Sequence, residues 1–298
     1  TECGECSFSA GIAGYPEIDF PRSATILNSK KACIHGNFLE PGFIVVFDHV
    51  SLNVSGDIYY SEGDIKAAVA EYRKGLQCNP NDVNLLNSLG VAYVFMNQHT
   101  KGQDCFDRAL DIDPDNFMSL YNAGLGEEKR GNNNQAIERF THALKTYSTE
   151  EGGEETKQEL EYNLGRLYCL QGDYESGIAY LIKSNQVIRG KKTEAQGCRL
   201  LGLALYELGK YKDAAKWLQK ALNINQFDAE SFSILGEIYH LDKQGDDIAL
   251  SFCQKSVTLE PNNMEYLLRL ATVQLSCGHL EKAKANLHRC IRNRAIYE

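Results

Sequence analysis

Cys3 and Cys6 stand in a Cys-x-x-Cys spacing, which serves as half of a tetrahedral zinc site or as a redox pair. Zinc needs four ligands, no second pair of suitable spacing follows, and Cys33 and His35 come near only along the chain. Terminal thiols are the simpler reading, and neither a metal nor a cofactor is expected. His99, His142, His240, His279 and His288 fall in turns or on helix surfaces and join no nucleophile in a recognisable motif. The Gly-rich lysine loop, His-Glu-x-x-His and Gly-x-Ser-x-Gly, which carry phosphate binding, zinc hydrolysis and acyl transfer, do not occur. The expectation is a protein that binds rather than catalyses.

Charge narrows what it binds. Lys and Arg number 31 against 40 Asp and Glu, a formal charge of -9, so the average field repels phosphate backbones and anionic headgroups. Nucleic acid is not an expected partner. The longest uncharged stretch, Val83 to Thr100, contains Asn84, Asn87, Ser88, Asn97, Gln98 and His99, too polar for the roughly 20 apolar residues a membrane span needs. No membrane insertion is expected. The chain opens on Thr1 with no basic start and apolar core, which reads as a cut start without a signal peptide. Most of the ten cysteines sit on apolar positions of helical patterns without paired spacing, which points to buried reduced thiols and a cytoplasmic setting.

The elements that would present a binding surface come from an internal period of about 34 residues. It is clearest from Leu85 to Pro114 and from Tyr162 to Leu181, where a Leu-Gly pair is followed three residues later by an aromatic and then by a polar turn. The pattern resembles the tetratricopeptide repeat and can be laid over the chain seven times, at 49–82, 83–116, 117–150, 158–191, 195–228, 229–263 and 264–297. The small residue of each first helix falls at Gly56, Gly90, Gly124, Gly165, Gly202, Gly236 and Ala271. That of each second helix falls at Ala68, Gly102, Ala136, Gly177, Ala214, Ala249 and Ala283, with Tyr72, Phe106, Phe140, Leu181, Leu218, Cys253 and Leu287 four residues on. Gly63, Gly131, Gly172, Gly209 and Gly278 supply turns, and Pro80, Pro114 and Pro261 end or open units.

The resemblance implies an all-α fold over 49–298, a right-handed α-solenoid of about seven tetratricopeptide helix pairs. The spacer Glu151 to Lys157 reads as a solvated acidic loop with a helix starting near Gln158 or slightly before, and the sixth unit carries one extra residue. No polar capping helix follows the seventh unit, so Leu268, Leu275 and Ile291 are either partly uncovered or covered by another copy of the chain.

Residues 1–48 lack the period and read as a small α/β segment: a strand within Ser7 to Pro16, a helix from Pro21 to His35 with Ala24, Leu27 and Ala32 apolar, and a strand from Gly42 to Asp48. Ser9-Ala10-Gly11-Ile12-Ala13, Lys30-Lys31, Gly36 and Phe47-Asp48 resemble the C-terminal end of a diguanylate cyclase (GGDEF-type) domain. The family's Gly-Gly-Asp-Glu-Phe loop is absent, and its Ala-Lys pair reads Ser29-Lys30. The segment is thus a remnant or a cut domain lacking the catalytic loop.

In the tetratricopeptide family a concave groove is lined from the first helix of each repeat. Carried over, the lining is Tyr60, Asn84, Asn87, Val91, Val94, Phe95, Met118, Tyr121, Asn122 and Leu125, then Tyr162, Asn163, Arg166, Arg199, Leu203 and Tyr206. Asn122 and Asn163 can donate and accept along an extended backbone, Tyr and Leu give apolar contact, and Arg166 and Arg199 can grip a carboxylate. The expected function is a non-catalytic scaffold that binds a partner protein or peptide in this groove. The alternative is a fragment of a cyclase-like signalling enzyme, or of a cyclic-dinucleotide sensor, whose catalytic half lies upstream.

Overall fold

Two short strands that run parallel need a crossover between them, and the N-terminal segment supplies one. In the computed structural model, which describes residues 8–16, 19–40, 42–185, 191–243 and 245–297, β1 (Ala10–Ile12) pairs with β2 (Ile44–Val46), Gly11 opposite Val45. Between them runs α1 (Thr25–Gly36), entered through one 3-10 turn at Arg22–Ala24. The helix lies so close to β1 that a Cβ at Gly11 would fall 2.2 Å from the Ser29 carbonyl oxygen, hence glycine there. Ala32, Val45, Phe47 and Leu52 make the small core beneath. The buried face of α1 differs from the apolar one expected: Leu27 is 52% exposed, whereas Asn28, Lys31, Ala32 and Gly36 are buried. Lys31 goes inward because its ammonium meets the buried carboxylate of Glu71.

Seven helical pairs follow among the described residues. They are α2 (His49–Ser61) with α3 (Ile65–Cys78), α4 (Val83–Phe95) with α5 (His99–Ile112), and α6 (Phe117–Lys129) with α7 (Asn133–Thr146). Then come α8 (Thr149–Leu170) with α9 (Tyr174–Asn185), α10 (Lys191–Glu207) with α11 (Tyr211–Ile224), α12 (Ala229–Leu241) with α13 (Asp246–Leu259), and α14 (Met264–Ser276) with α15 (Leu280–Tyr297). Residues 1–151 form one compact unit and 152–298 another.

Starts and stops have local causes. The side chains of Asp48, Asp64, Asp82, Asn116 and Asn263 accept hydrogen bonds from backbone N–H groups of the first turns of α2, α3, α4, α6 and α14. Helices α3, α5 and α13 end at Cys78, Ile112 and Leu259, two residues before Pro80, Pro114 and Pro261. The turns at Gly63, Gly131, Gly172, Gly209 and Gly278 have φ between 70° and 86°, the left-handed conformation that glycine takes without strain. Repeats two and six bend the same way on Asn97 (φ 59°) and Lys243 (φ 52°). The spacer differs from the loop expected: α8 is broken at Gly153 (φ 66°, ψ 155°) and is helical from Glu154 onward. Glu154 and Glu155 in its first turn face the positive end of the helix dipole, which favours that early start.

Within the first six pairs the small residue of the first helix receives the bulky residue of the second. A Cβ at Gly90 would meet the Phe106 ring at 2.3 Å, and one at Gly124 the Phe140 ring at 2.6 Å. Gly56 with Tyr72, Gly165 with Leu181, Gly202 with Leu218 and Gly236 with Cys253 repeat the arrangement. These contacts sit in a chain of small cores, such as Ala68, Tyr72, Leu85 and Leu89 in the first unit and Leu218, Ile234 and Leu235 in the second. Among the described residues no helix is long and apolar enough to cross a membrane.

Candidate interaction surface

Within the first unit, α2, α4 and α6 are neighbours, so the first helix of each pair forms one wall. The Tyr60 and Phe95 rings meet edge to face at 5.8 Å, and Phe95 remains 65% exposed. Asn84 is exposed, Met118 is 45% exposed, and Val91, Val94, Asn122 and Leu125 are half-buried. Two expected groove residues turn inward. Asn87, 8% exposed, donates from Nδ2 to Ser119 Oγ at 2.8 Å and ties α4 to α6. Tyr121, 7% exposed, packs against Phe117 and Phe140.

In the second unit the wall runs along α10, α12 and α14 and is charged. Arg199 donates to Asp228 Oδ1 at 3.2 Å and its Nε lies 3.2 Å from Glu230 Oε2. Burial works to lower the Arg199 pKa, but the two carboxylates outweigh it and raise it. Arg269 binds Glu237 through Nε, Ser233 Oγ at 3.2 Å and Glu265 at 2.6 Å. Burial, with Glu237 alongside, pushes the Tyr206 hydroxyl pKa up. Tyr162, Arg166, Leu203 and Tyr206 are half-buried, and Asn163 is 8% exposed.

Arg199 therefore meets carboxylates of its own chain. Glu230, Ser233 and Glu237 occupy in the sixth repeat, and Glu265 and Arg269 in the seventh, the register positions used for the groove in earlier repeats. Carrying the same register two repeats further would have found them.

Side-chain types that could do covalent chemistry are held otherwise. His35 Nδ1 lies 3.2 Å from Ser51 Oγ, and Asp48 is beside them, the three residue types of a hydrolase triad. Here the Ser51 hydroxyl donates to Asp48 Oδ1, the same carboxylate accepts the Ser51 backbone N–H at 2.8 Å, and Ser51 is fully buried. That is a helix cap, with no nucleophile presented. Cys3 and Cys6 lie outside the described residues. Burial pushes the Cys105 and Cys169 thiols up to about 11 and Cys253 to about 12. At pH 8, iodoacetamide is expected to alkylate Cys253 on the order of a hundredfold more slowly in the native protein than in guanidinium, followed by peptide mass spectrometry. Equal rates would mean that the thiol does not sit over Gly236.

Residues 83–116 and 156–226 match tetratricopeptide-repeat family models, and 56–96 match a TPR repeat model. Among curated proteins the chain is similar to the CTR9 homolog of Arabidopsis thaliana, 22% identical over 78% of this chain and 25% of that protein. It is also similar to BBSome complex member BBS4 of Bos taurus, 23% identical over 60% and 33%. The chain thus spans a quarter to a third of the length of these relatives. Human DnaJ homolog subfamily C member 3 is 23% identical over 74% of this chain and 44% of that one.

Among solved structures, PilF of Pseudomonas aeruginosa superposes with TM-score 0.58 at 18% identity, covering 73% of this chain and 94% of that one. YrrB, described as a TPR protein with an unusual peptide-binding site, gives 0.57 at 19% identity over 66% and 95%. These likenesses extend the fold beyond the matched segments. The helical pairs within 56–116 and 156–226 are tetratricopeptide repeats, and the pairs α6–α7 and α12–α13 beside them are built on the same glycine-to-bulky-residue packing.

Proposed function

We propose that the chain is a non-catalytic scaffold that binds a segment of a partner protein along the first helices of its repeats. The observation that carries this is the exposure of Asn84, Phe95 and Met118 on helices whose other faces are buried, beside half-buried Tyr60 and Asn122. Large apolar groups interleaved with amides suit an extended or helical segment: the rings and Met take apolar side chains, and the amides satisfy main-chain groups. YrrB, similar in fold, is named for a peptide-binding site, which supports the reading. In the second unit Arg166, Leu203 and Tyr206 offer a mixed surface of the same kind. The acidic net charge disfavours nucleic acid as the partner, and the free thiols of the described residues suit a cytoplasmic setting. Leu268, Leu275 and Ile291, 53%, 46% and 69% exposed, support association with a second copy as a further contact.

Phe95→Ala with Met118→Ala is expected to lower partner recovery in affinity purification with mass spectrometry by about tenfold or more, with helical circular dichroism unchanged. Recovery of the same partners at the same yield would remove the first-unit wall from consideration. The cyclase-fragment reading rests on the parallel β1–α1–β2 order of the N-terminal segment. Sequence upstream of Thr1 decides it: a Gly-Gly-Asp-Glu-Phe loop there supports a catalytic parent, and another sequence leaves an adaptor.

A further inference from the structure

A cavity of about 470 Å³ opens between α3, α4 and α5 and shares none of its lining with the wall described above. Its floor is apolar, with Leu89 and Cys105 buried and Leu76 and Tyr93 half-buried. Its rim carries three cations, Arg73, Lys101 and Arg108, against one carboxylate, Asp104. In a chain of net charge -9 that local excess runs against the average.

None of the three has an ion-pair partner among the described residues. Lys101 Nζ donates to Gln98 Oε1 at 2.9 Å and stands 5.6 Å from the Tyr93 ring centroid. Arg108 leans on the Pro80 carbonyl at 3.5 Å. The neighbouring cavity, between α5 and α7, behaves differently. It is larger, about 660 Å³, but its basic side chains are engaged within the chain, Arg139 with Asp107 at 3.4 Å and His142 with Asp115 at 2.8 Å. The two cavities share α5, which shows Lys101, Arg108 and Asp104 to one and Asp107 and Asp111 to the other.

We propose that the cavity between α3 and α5 is a second docking site, which takes an acidic segment of a partner protein. A leucine or phenylalanine of that segment rests on Leu76, Leu89 and Tyr93, and flanking aspartates or glutamates meet Arg73, Lys101 and Arg108. The size lies in the range of sites that enclose side chains or small ligands. An apolar anchor in a desolvated floor carries most of the affinity, while exposed rim charges steer approach and select the sign of the partner. This site does not depend on the first-helix wall.

The test uses the full chain and fluorescence anisotropy. The probe is a fluorescein-labelled octapeptide with a central Leu-Phe flanked on each side by three acidic residues; controls carry Gly-Gly at the centre or lysines at the flanks. Saturable binding of the acidic peptide is expected, weakening about tenfold or more when salt rises from about 50 to about 300 mM. The same loss is expected in Arg73→Gln/Lys101→Gln/Arg108→Gln, whose side chains are exposed and leave the fold intact. The Gly-Gly control should not bind, and Phe95→Ala/Met118→Ala should bind as the unaltered protein does. Equal affinity in the triple variant, equal affinity for the lysine-flanked peptide, or no binding by about 1 mM would overturn the proposal. Displacement by inorganic phosphate at matched ionic strength would overturn it too, since the site would then read phosphate rather than an acidic segment.

Discussion

Gly90→Ala is expected to destabilise the first unit by about 1–3 kcal/mol, and Gly90→Val by more, although Ala is the better helix former by about 1 kcal/mol. The two effects have opposite signs, so the measurement separates them. Gly90 is inside α4, where propensity alone favours any side chain over hydrogen. Its missing Cβ, however, is where Phe106 lies, at 2.3 Å from one ring carbon and 2.8 Å from the next. Phe106 is 2% exposed and has no space to swing into, so the helices of the pair must separate.

The seventh repeat carries Ala271 and Leu287 at the corresponding positions, whereas Gly165 and Gly202 meet Leu181 and Leu218 so closely that a leucine partner alone leaves no room for a Cβ. Urea unfolding followed by circular dichroism reads all of these variants. A Gly90→Ala protein more stable than the parent would refute the close-approach explanation of the period.

This packing is what made the architecture legible. A small residue, a bulky one four positions past its partner and a turn glycine recur because each repeat solves one local problem, and local problems leave local spacing. Legibility failed wherever a residue answers to something distant in sequence. Asn97 and Lys243 take the left-handed turn without being glycine, so two of seven turns carry no sign. In α1 the apolar pattern selects Leu27, but burial follows Lys31, whose partner stands 40 residues away. Asn87 and Tyr121 have the residue types of a binding surface, yet the Ser119 hydroxyl on α6 and two flanking rings draw them inward. The Arg269 cluster was within reach of the register. The cationic rim between α3 and α5 was not, since its three charges come from two helices and only packing brings them round one floor.

Glu71→Leu is expected to cost about 3–5 kcal/mol, the penalty for stranding a buried charge, against less than about 1 for an exposed ion pair. The side chains of Lys31 and Glu71 are 5% and 8% exposed, so loss of the carboxylate leaves an ammonium with little water to turn to. Lys31→Met should cost less. Glu71 would keep Lys74, whose Nζ lies 3.7 Å from Oε1 and is 45% exposed, so the carboxylate retains a cation at the edge. Lys31→Met with Glu71→Leu removes both charges and should recover most of the loss, because a buried pair gains little over apolar groups of similar volume.

The place of the damage is as informative as its size. Lys31 belongs to α1 and Glu71 to α3, so the pair fastens the N-terminal segment to the first repeat. Hydrogen exchange in Glu71→Leu should rise first across β1, α1 and β2 while α4 to α7 hold their protection, since each repeat leans chiefly on its neighbours. Uniform loss across residues 8–146 would instead mean that the segment and the repeats unfold as one, and that the buried pair is part of a single cooperative core.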